Sequence, residues 1–229
     1  MPDHSLTIQE RAVPAAQLIL LCHAAGADAA SLLPLGERLR ETFPLATIVS
    51  LQADAAADTP SDLPDGFQWF ALADTTEDNR PQRVAQALPA LQVAVRHWQE
   101  RSGVPPAATA LIGVAQGAEM VLEASKHHPM LASRVVAMGG RFTTLPATLP
   151  AVTTTHLLHG KRDTVVHYSH SVNAAHHLRD MGGDITAEVL PFVGHALHPD
   201  LIELAITKLS THIARHLWTA AQEAATRGI

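Results

Sequence analysis

Three short stretches carry residue types suited to activating a nucleophile. The first, Gly113-Val114-Ala115-Gln116-Gly117, joins an apolar run to a helical pattern. Its glycines relieve crowding in a sharp strand-to-helix turn, whose middle residue is forced into strained backbone angles. The second runs from His159 to Val166 and contains Asp163; the third is Gly194-His195-Ala196. Asp163 follows Ala115 by 48 residues, and His195 follows Asp163 by 32, about one helix and one strand each time. In such a set the histidine removes a proton from a hydroxyl on the turn, and the carboxylate fixes the histidine's tautomer.

The hydroxyl is missing. Ala115 stands where a Gly-x-Ser-x-Gly turn has its serine, and a methyl group cannot attack a carbonyl. Three accounts are open: a serine replaced to leave a substrate-trapping form, a natural pseudoenzyme, or a chance match on a structural turn. A metal centre is not expected. His127-His128 and His176-His177 are adjacent pairs that point apart on a helix, while His167 with His170 and His195 with His198 have helical spacing but lie in expected loops or helix starts. No His-Glu-x-x-His accompanies them. No cofactor is expected either, since neither a Gly-x-Gly-x-x-Gly after a strand nor a phosphate loop occurs.

The elements that must position these residues alternate. Strands are expected at Gln17–Cys22, Leu45–Leu51, Thr109–Val114, Arg134–Met138, Thr154–Leu158 and Ile185–Leu190. Helices are expected at Ser31–Phe43, capped by Ser31, at Gln116–His128, ended by Pro129, and at Ser169–Met181, closed by Gly182-Gly183. Val84, Leu88, Leu91, Val95 and Trp98 recur at helical spacing and mark a core-facing stripe, with Pro81 in the first turn and Pro89 expected to bend it. Leu201, Leu204, Ala205, Leu209, Ile213 and Leu217 mark a final long helix. Residues 52–79 read as a long irregular stretch. Near-continuously apolar strands are covered on both faces, so a mostly parallel sheet with helices on each side follows. Ligands of such sheets bind beyond the carboxyl ends of the strands, where all three stretches lie.

Composition narrows the rest. A chain of 229 residues with 47% hydrophobic and 17% charged residues is globular. Without a repeat or linker, a single domain over 1–229 is the simplest account. A net charge of −6 with no basic run argues against nucleic acid. The longest apolar run near the start, residues 15–22, contains Gln17 and is far short of a membrane span, and the opening Met1-Pro2-Asp3-His4 does not suit a signal peptide. A lipoprotein site at Leu20-Leu21-Cys22 reads less well than a buried strand. One cysteine, Cys22, fits a reducing compartment and a cytoplasmic location. A homodimer stays open.

The sequence resembles the carboxylesterase, phospholipase and acyl-protein thioesterase group of α/β-hydrolases. The matching pieces are Leu20 to Asp28, Gln68-Trp69-Phe70, Thr76-Glu77-Asp78-Asn79-Arg80, Ala110 to Ala118, Ala132 to Val136, His159-Gly160 with Asp163, and Gly194-His195-Ala196. The departures are Ala115 for serine and Ala24 for a glycine. The resemblance implies an α/β-hydrolase fold and a serine esterase acting on small carboxylic esters, with thioesters open, through an acyl-enzyme. It implies that Asp163 orients His195, and that His195 is the general base and then the general acid. The backbone N–H groups of Gln116 and Ala25 would form the oxyanion hole. His23 would support the first loop rather than take part in chemistry. Trp69, Phe70 and Leu72, with Phe142 and Leu197, are expected to wall an acyl pocket; the plainer reading pins the first three to the core. A ligand-binding protein that kept the pocket is the rival function.

Overall fold

A computed structural model describes residues 4–58, 66–126, 130–148, 152–214 and 217. Its centre is a seven-stranded sheet whose strands lie in the spatial order Leu6–Gln9 (β1), Ala46–Leu51 (β3), Gln17–Cys22 (β2), Thr109–Val114 (β6), Arg134–Met138 (β7), Thr154–Gly160 (β8) and Asp184–Leu190 (β9). β2, β3, β6, β7, β8 and β9 run parallel. Residues of β3, β6 and β8 are buried throughout, as strands covered on both faces must be.

Alternation within β2 shows the two covers. Leu18, Leu20 and Cys22 pack into a core with α2 (Arg80–Ser102), α3 (Gln116–Ser125) and α4 (Ser169–Asp180). Ile19 and Leu21 face the other way, into a core with α1 (Leu33–Thr42) and α5 (Pro199–Thr211). The expected stripe on α2 is inward: Val84, Leu91, Val95 and Trp98 are buried, and the helix continues unbroken through Pro89. At the end of α4, Gly182 takes φ 82°, and the N–H groups of Gly182 and Gly183 close on the carbonyls of Arg179 and Leu178.

Several boundaries differ from expectation. Ser31 is not the helix cap; Asp28 accepts the Ser31 N–H at 2.9 Å and caps a 3-10 turn, Ala29–Leu32, that leads into α1. The third helix is assigned to Ser125, and the expected end at His128 and Pro129 lies outside the described residues. β8 extends through His159 and Gly160, which pair with Val189 and Leu190. α5 stops at Thr211, because His212 turns extended, with its carbonyl held by Arg134 and its ring by Asp184. Ile213 and Leu217 are therefore exposed rather than part of a core stripe. Two elements were not foreseen: the antiparallel edge strand β1 (Leu6–Gln9) on β3, and a small hairpin of β4 (Ala55–Ala56) and β5 (Phe67–Gln68) within the irregular stretch. Among the described residues no helix is long and apolar enough to cross a membrane.

Candidate active site

The turn between β6 and α3 leaves no room for a side chain at either of its glycines. A methyl group on Gly113 would lie 2.2 Å from the carbonyl oxygen of Gly117, and one on Gly117 would lie 2.2 Å from that of Cys22. Between them Ala115 takes φ 50° and ψ −111°. This is a costly conformation for a residue with a Cβ, and such outliers concentrate at functional sites. Its N–H donates to Met138 at 2.8 Å, and its carbonyl accepts from Glu119 at 3.1 Å. Both ends of the turn are thus fixed.

Asp163 follows β8 and its side chain is fully covered. Its Oδ1 accepts the N–H groups of Val165 at 2.9 Å and Val166 at 2.8 Å. Its Oδ2 accepts Nδ1–H of His195 at 2.8 Å. Burial pushes the carboxyl up, but His195 and the Val166 and Val165 N–H groups outweigh burial and hold it below the usual carboxylate range. His195 keeps a quarter of its side chain open to solvent. Gly139, at φ 64°, leaves the space behind the pair; a Cβ there would come within 3.5 Å of Asp163 Oδ2.

A second histidine, not singled out from the sequence, backs the same carboxylate. His159 Nε2 lies 3.2 Å from Asp163 Oδ2 and 2.8 Å from the Val166 carbonyl. Both neighbours only accept, so Nε2 carries the proton, and Nδ1 accepts from the Ser171 hydroxyl at 2.8 Å. Burial keeps His159 below the ordinary histidine range. The apolar pattern of the strand ends at Leu158, whereas β8 continues through His159 and Gly160.

The first loop is held from two sides. His23 is fully buried; its Nδ1–H donates to the Ala24 carbonyl at 2.7 Å, and its Nε2 accepts the Ala53 N–H at 3.1 Å. The hairpin supplies the other side. Gly26 N–H donates to Phe67 at 2.8 Å, and Phe67 N–H donates to Ala27 at 2.9 Å. Trp69 joins this loop to α3: its indole N–H donates to the His23 carbonyl at 2.8 Å, and its backbone N–H donates to Gln116 Oε1 at 2.7 Å. Gln116 Nε2 donates to the Phe70 carbonyl at 2.8 Å. Gln116 also opens α3, where first-turn N–H groups have no partner within the helix.

Among the described residues two cavities share Ala24, Ala115 and His195. An apolar one of about 180 Å³ is lined by Leu32, Val114, Met138, Leu197 and Leu201. A larger one of about 530 Å³ includes Ala25, Gln116 and Leu72 along with Glu77, Arg80, Glu119 and Arg141. Of the five expected wall residues, Leu197 and Leu72 border these spaces. Phe70 and Phe142 do not; both are buried in the core beside α2 and α3, Phe70 under the Arg80 guanidinium and Phe142 under the Lys126 ammonium. Trp69 is half-buried against the same core, so the structure favours its anchoring role. Of the charged residues in the larger cavity, Glu77 and Arg80 fall in one of the matching pieces without a role given to them, whereas Glu119 and Arg141 carry no signal in the sequence. Burial pushes the Glu119 carboxyl up, against the pull of Arg80 and Arg141. No group of three or more His, Cys, Asp or Glu among the described residues could hold a metal ion.

Comparison with known proteins gives the family and the fold. Residues 3–213 match the family described as phospholipase/carboxylesterase. Esterase YpfH of Escherichia coli strain K12 is 41% identical over 219 residues, spanning 96% of this chain and 92% of that protein. The crystal structure of esterase PE8 superposes with a TM-score of 0.76 at 26% identity, covering 90% of this chain and 95% of that one. A carboxylesterase from Mesorhizobium loti shares the fold at 21% identity and a TM-score of 0.70, over 91% and 93% of the two chains.

Proposed function

The chain belongs to the phospholipase/carboxylesterase family of α/β-hydrolases, and from that premise we propose that its site is the acyl-transfer site of a serine carboxylesterase, here without its nucleophile. The observation that carries the reading is the backbone of Ala115. A turn with φ 50° and ψ −111° is easiest for glycine. Keeping a side-chain-bearing residue there makes sense where a side chain is needed at that point. The hydrogen-bonded Asp163 and His195, and a cavity pair meeting at His195 and Ala115, support the same reading.

With serine at 115, His195 Nε2 accepts the hydroxyl proton as oxygen attacks the ester carbon. Asp163 stays ionised and holds Nδ1–H, so Nε2 is free to act as the base. The N–H groups of Gln116 and Ala25 take the developing oxyanion. His195 then returns the proton to the leaving alcohol, and water resolves the acyl-enzyme. Thioesters enter by the same steps. With alanine at 115 no bond can form, but the cavities and N–H donors remain. The chain as it stands is thus a ligand-binding protein in practice, which is what a substrate-trapping form or a natural pseudoenzyme would be.

Ala115→Ser is the test. It should hydrolyse p-nitrophenyl esters of short and medium acids, with kcat about 10⁶ above the unsubstituted chain. A folded Ala115→Ser with no hydrolysis above background rejects the esterase reading and leaves the binding protein.

A further inference from the structure

The two cavities at Ala115 and His195 differ in chemistry. One is walled by aliphatic side chains; the other carries Glu77, Arg80, Glu119, Arg141 and His170. Arg80 opens α2 and Arg141 lies in the loop after β7, directly after Gly140, which packs on the Ala115 carbonyl. Both side chains are largely covered, 21% and 15% exposed. They converge on one oxygen. Glu77 Oε1 accepts from Arg141 Nη2 at 2.6 Å and lies 4.0 Å from Arg80 Nε. Arg80 Nε is itself buried and makes no hydrogen bond.

Glu77 is the odd member of the group. Its side chain is 73% exposed, while every cation it serves is mostly buried. Glu119 is the permanent partner: buried, and 3.1 Å from Arg80 Nη1. With Glu77 swung aside, two guanidiniums face one buried carboxylate. An exposed side chain that ties down a long arginine gains little in water. The same guanidinium offers a planar fork suited to a carboxylate, and does so more strongly when the ligand excludes water.

We propose that Glu77 is a placeholder, and that this cavity takes a carboxylate carried by the substrate itself, so that the natural substrates are half-esters with a free carboxylate near the ester bond. The proposal rests on the esterase reading of the site. The single uncompensated positive charge suits a monoanion better than a phosphate, which carries close to two charges. The aliphatic cavity then takes the small apolar part of the ester.

Monoethyl succinate and diethyl succinate are the probes. By calorimetry, the chain as it stands should bind the half-ester about tenfold more tightly than the diester. Ala115→Ser should show a similar preference in kcat/KM. Adding Arg141→Gln should collapse that ratio, with Arg141→Lys in between, since lysine keeps charge but not the fork. Glu77→Gln is too exposed to endanger the fold and should raise half-ester affinity several-fold by removing the competitor. Equal binding of the two probes, or weaker half-ester binding in Glu77→Gln, overturns the proposal. If Ala115→Ser cleaves p-nitrophenyl acetate without preferring the half-ester, only this proposal falls. If it cleaves nothing, the esterase reading falls, and calorimetry on the unsubstituted chain still decides whether the carboxylate site exists.

Discussion

Asp163 tolerates one arrangement of protons around it. Oδ1 faces two backbone N–H donors, and Oδ2 faces N–H donors from His195 and His159. An asparagine there must keep its oxygen toward Val165 and Val166 and turn its NH₂ toward the histidines. That amide then donates to His195 Nδ1, which moves the ring proton to Nε2 and removes the base. Asp163→Asn in the Ala115→Ser enzyme should therefore lower kcat by about 10⁴ with little change in KM. Steady-state kinetics on a p-nitrophenyl ester measure this, and a loss below tenfold would refute the tautomer argument. Ala115, Asp163 and His195 were legible because each follows a strand, with the first marked by the glycines at 113 and 117 and the other two by their own chemistry. Arg80, Glu119 and Arg141 were not, because only folding brings residues so far apart in the chain to one cavity, and His159, four residues before Asp163, was hidden by the longer reach of β8.

The segment from the β4–β5 hairpin to α2 has two jobs, divided between neighbouring residues. Trp69 bridges the loop of His23 to Gln116, whereas Leu72 borders the larger cavity. Trp69→Ala in the Ala115→Ser enzyme should cost about 3 kcal/mol of stability and depress activity on all acyl lengths together. Leu72→Ala should leave the melting temperature nearly unchanged and alter the ranking among acyl lengths. Melting curves beside kcat/KM over a p-nitrophenyl ester series check both; a changed ranking in Trp69→Ala would return that residue to the pocket wall. The inner parallel strands β2, β3, β6 and β7 could be read from the sequence because strands covered on both faces are mostly apolar, and the shorter apolar cores of β8 and the edge strand β9 sufficed to mark them. β1, with Thr7 and Gln9 among four residues, and the two-residue strands of the hairpin leave no such pattern. The caps erred for a related reason: Asp28 and Ser31 are both good N-caps by type, and only the backbone decides between them.

Across the whole molecule, acid should act through a histidine far from the site. His156 lies in β8 with no exposed surface, its Nε2 unpaired and its ring 4.9 Å from that of His212. Burial, then His212 and Arg134, push it down to about 3. The folded state thus binds fewer protons than the unfolded chain between that value and the ordinary 6.5. Stability from this group is complete above pH 6.5 and declines as the pH falls, by about 1.4 kcal/mol per unit. Between pH 7 and 5 the chain should lose about 2 kcal/mol more than His156→Gln does. Urea unfolding of both proteins at the two pH values measures it, and parallel losses would exclude His156. The strand order has one more consequence, for synthesis. β2 is translated early, yet it sits at the middle of the sheet between β3 and β6, and the last pieces of the site ride on β8, β9 and the loop before α5. The cavities at Ala115 and His195 are incomplete on a ribosome until the segment through Thr211 has left the exit tunnel, and a chain stalled before β9 presents the unpaired backbone of β8 as a bare edge to its neighbours on the polysome.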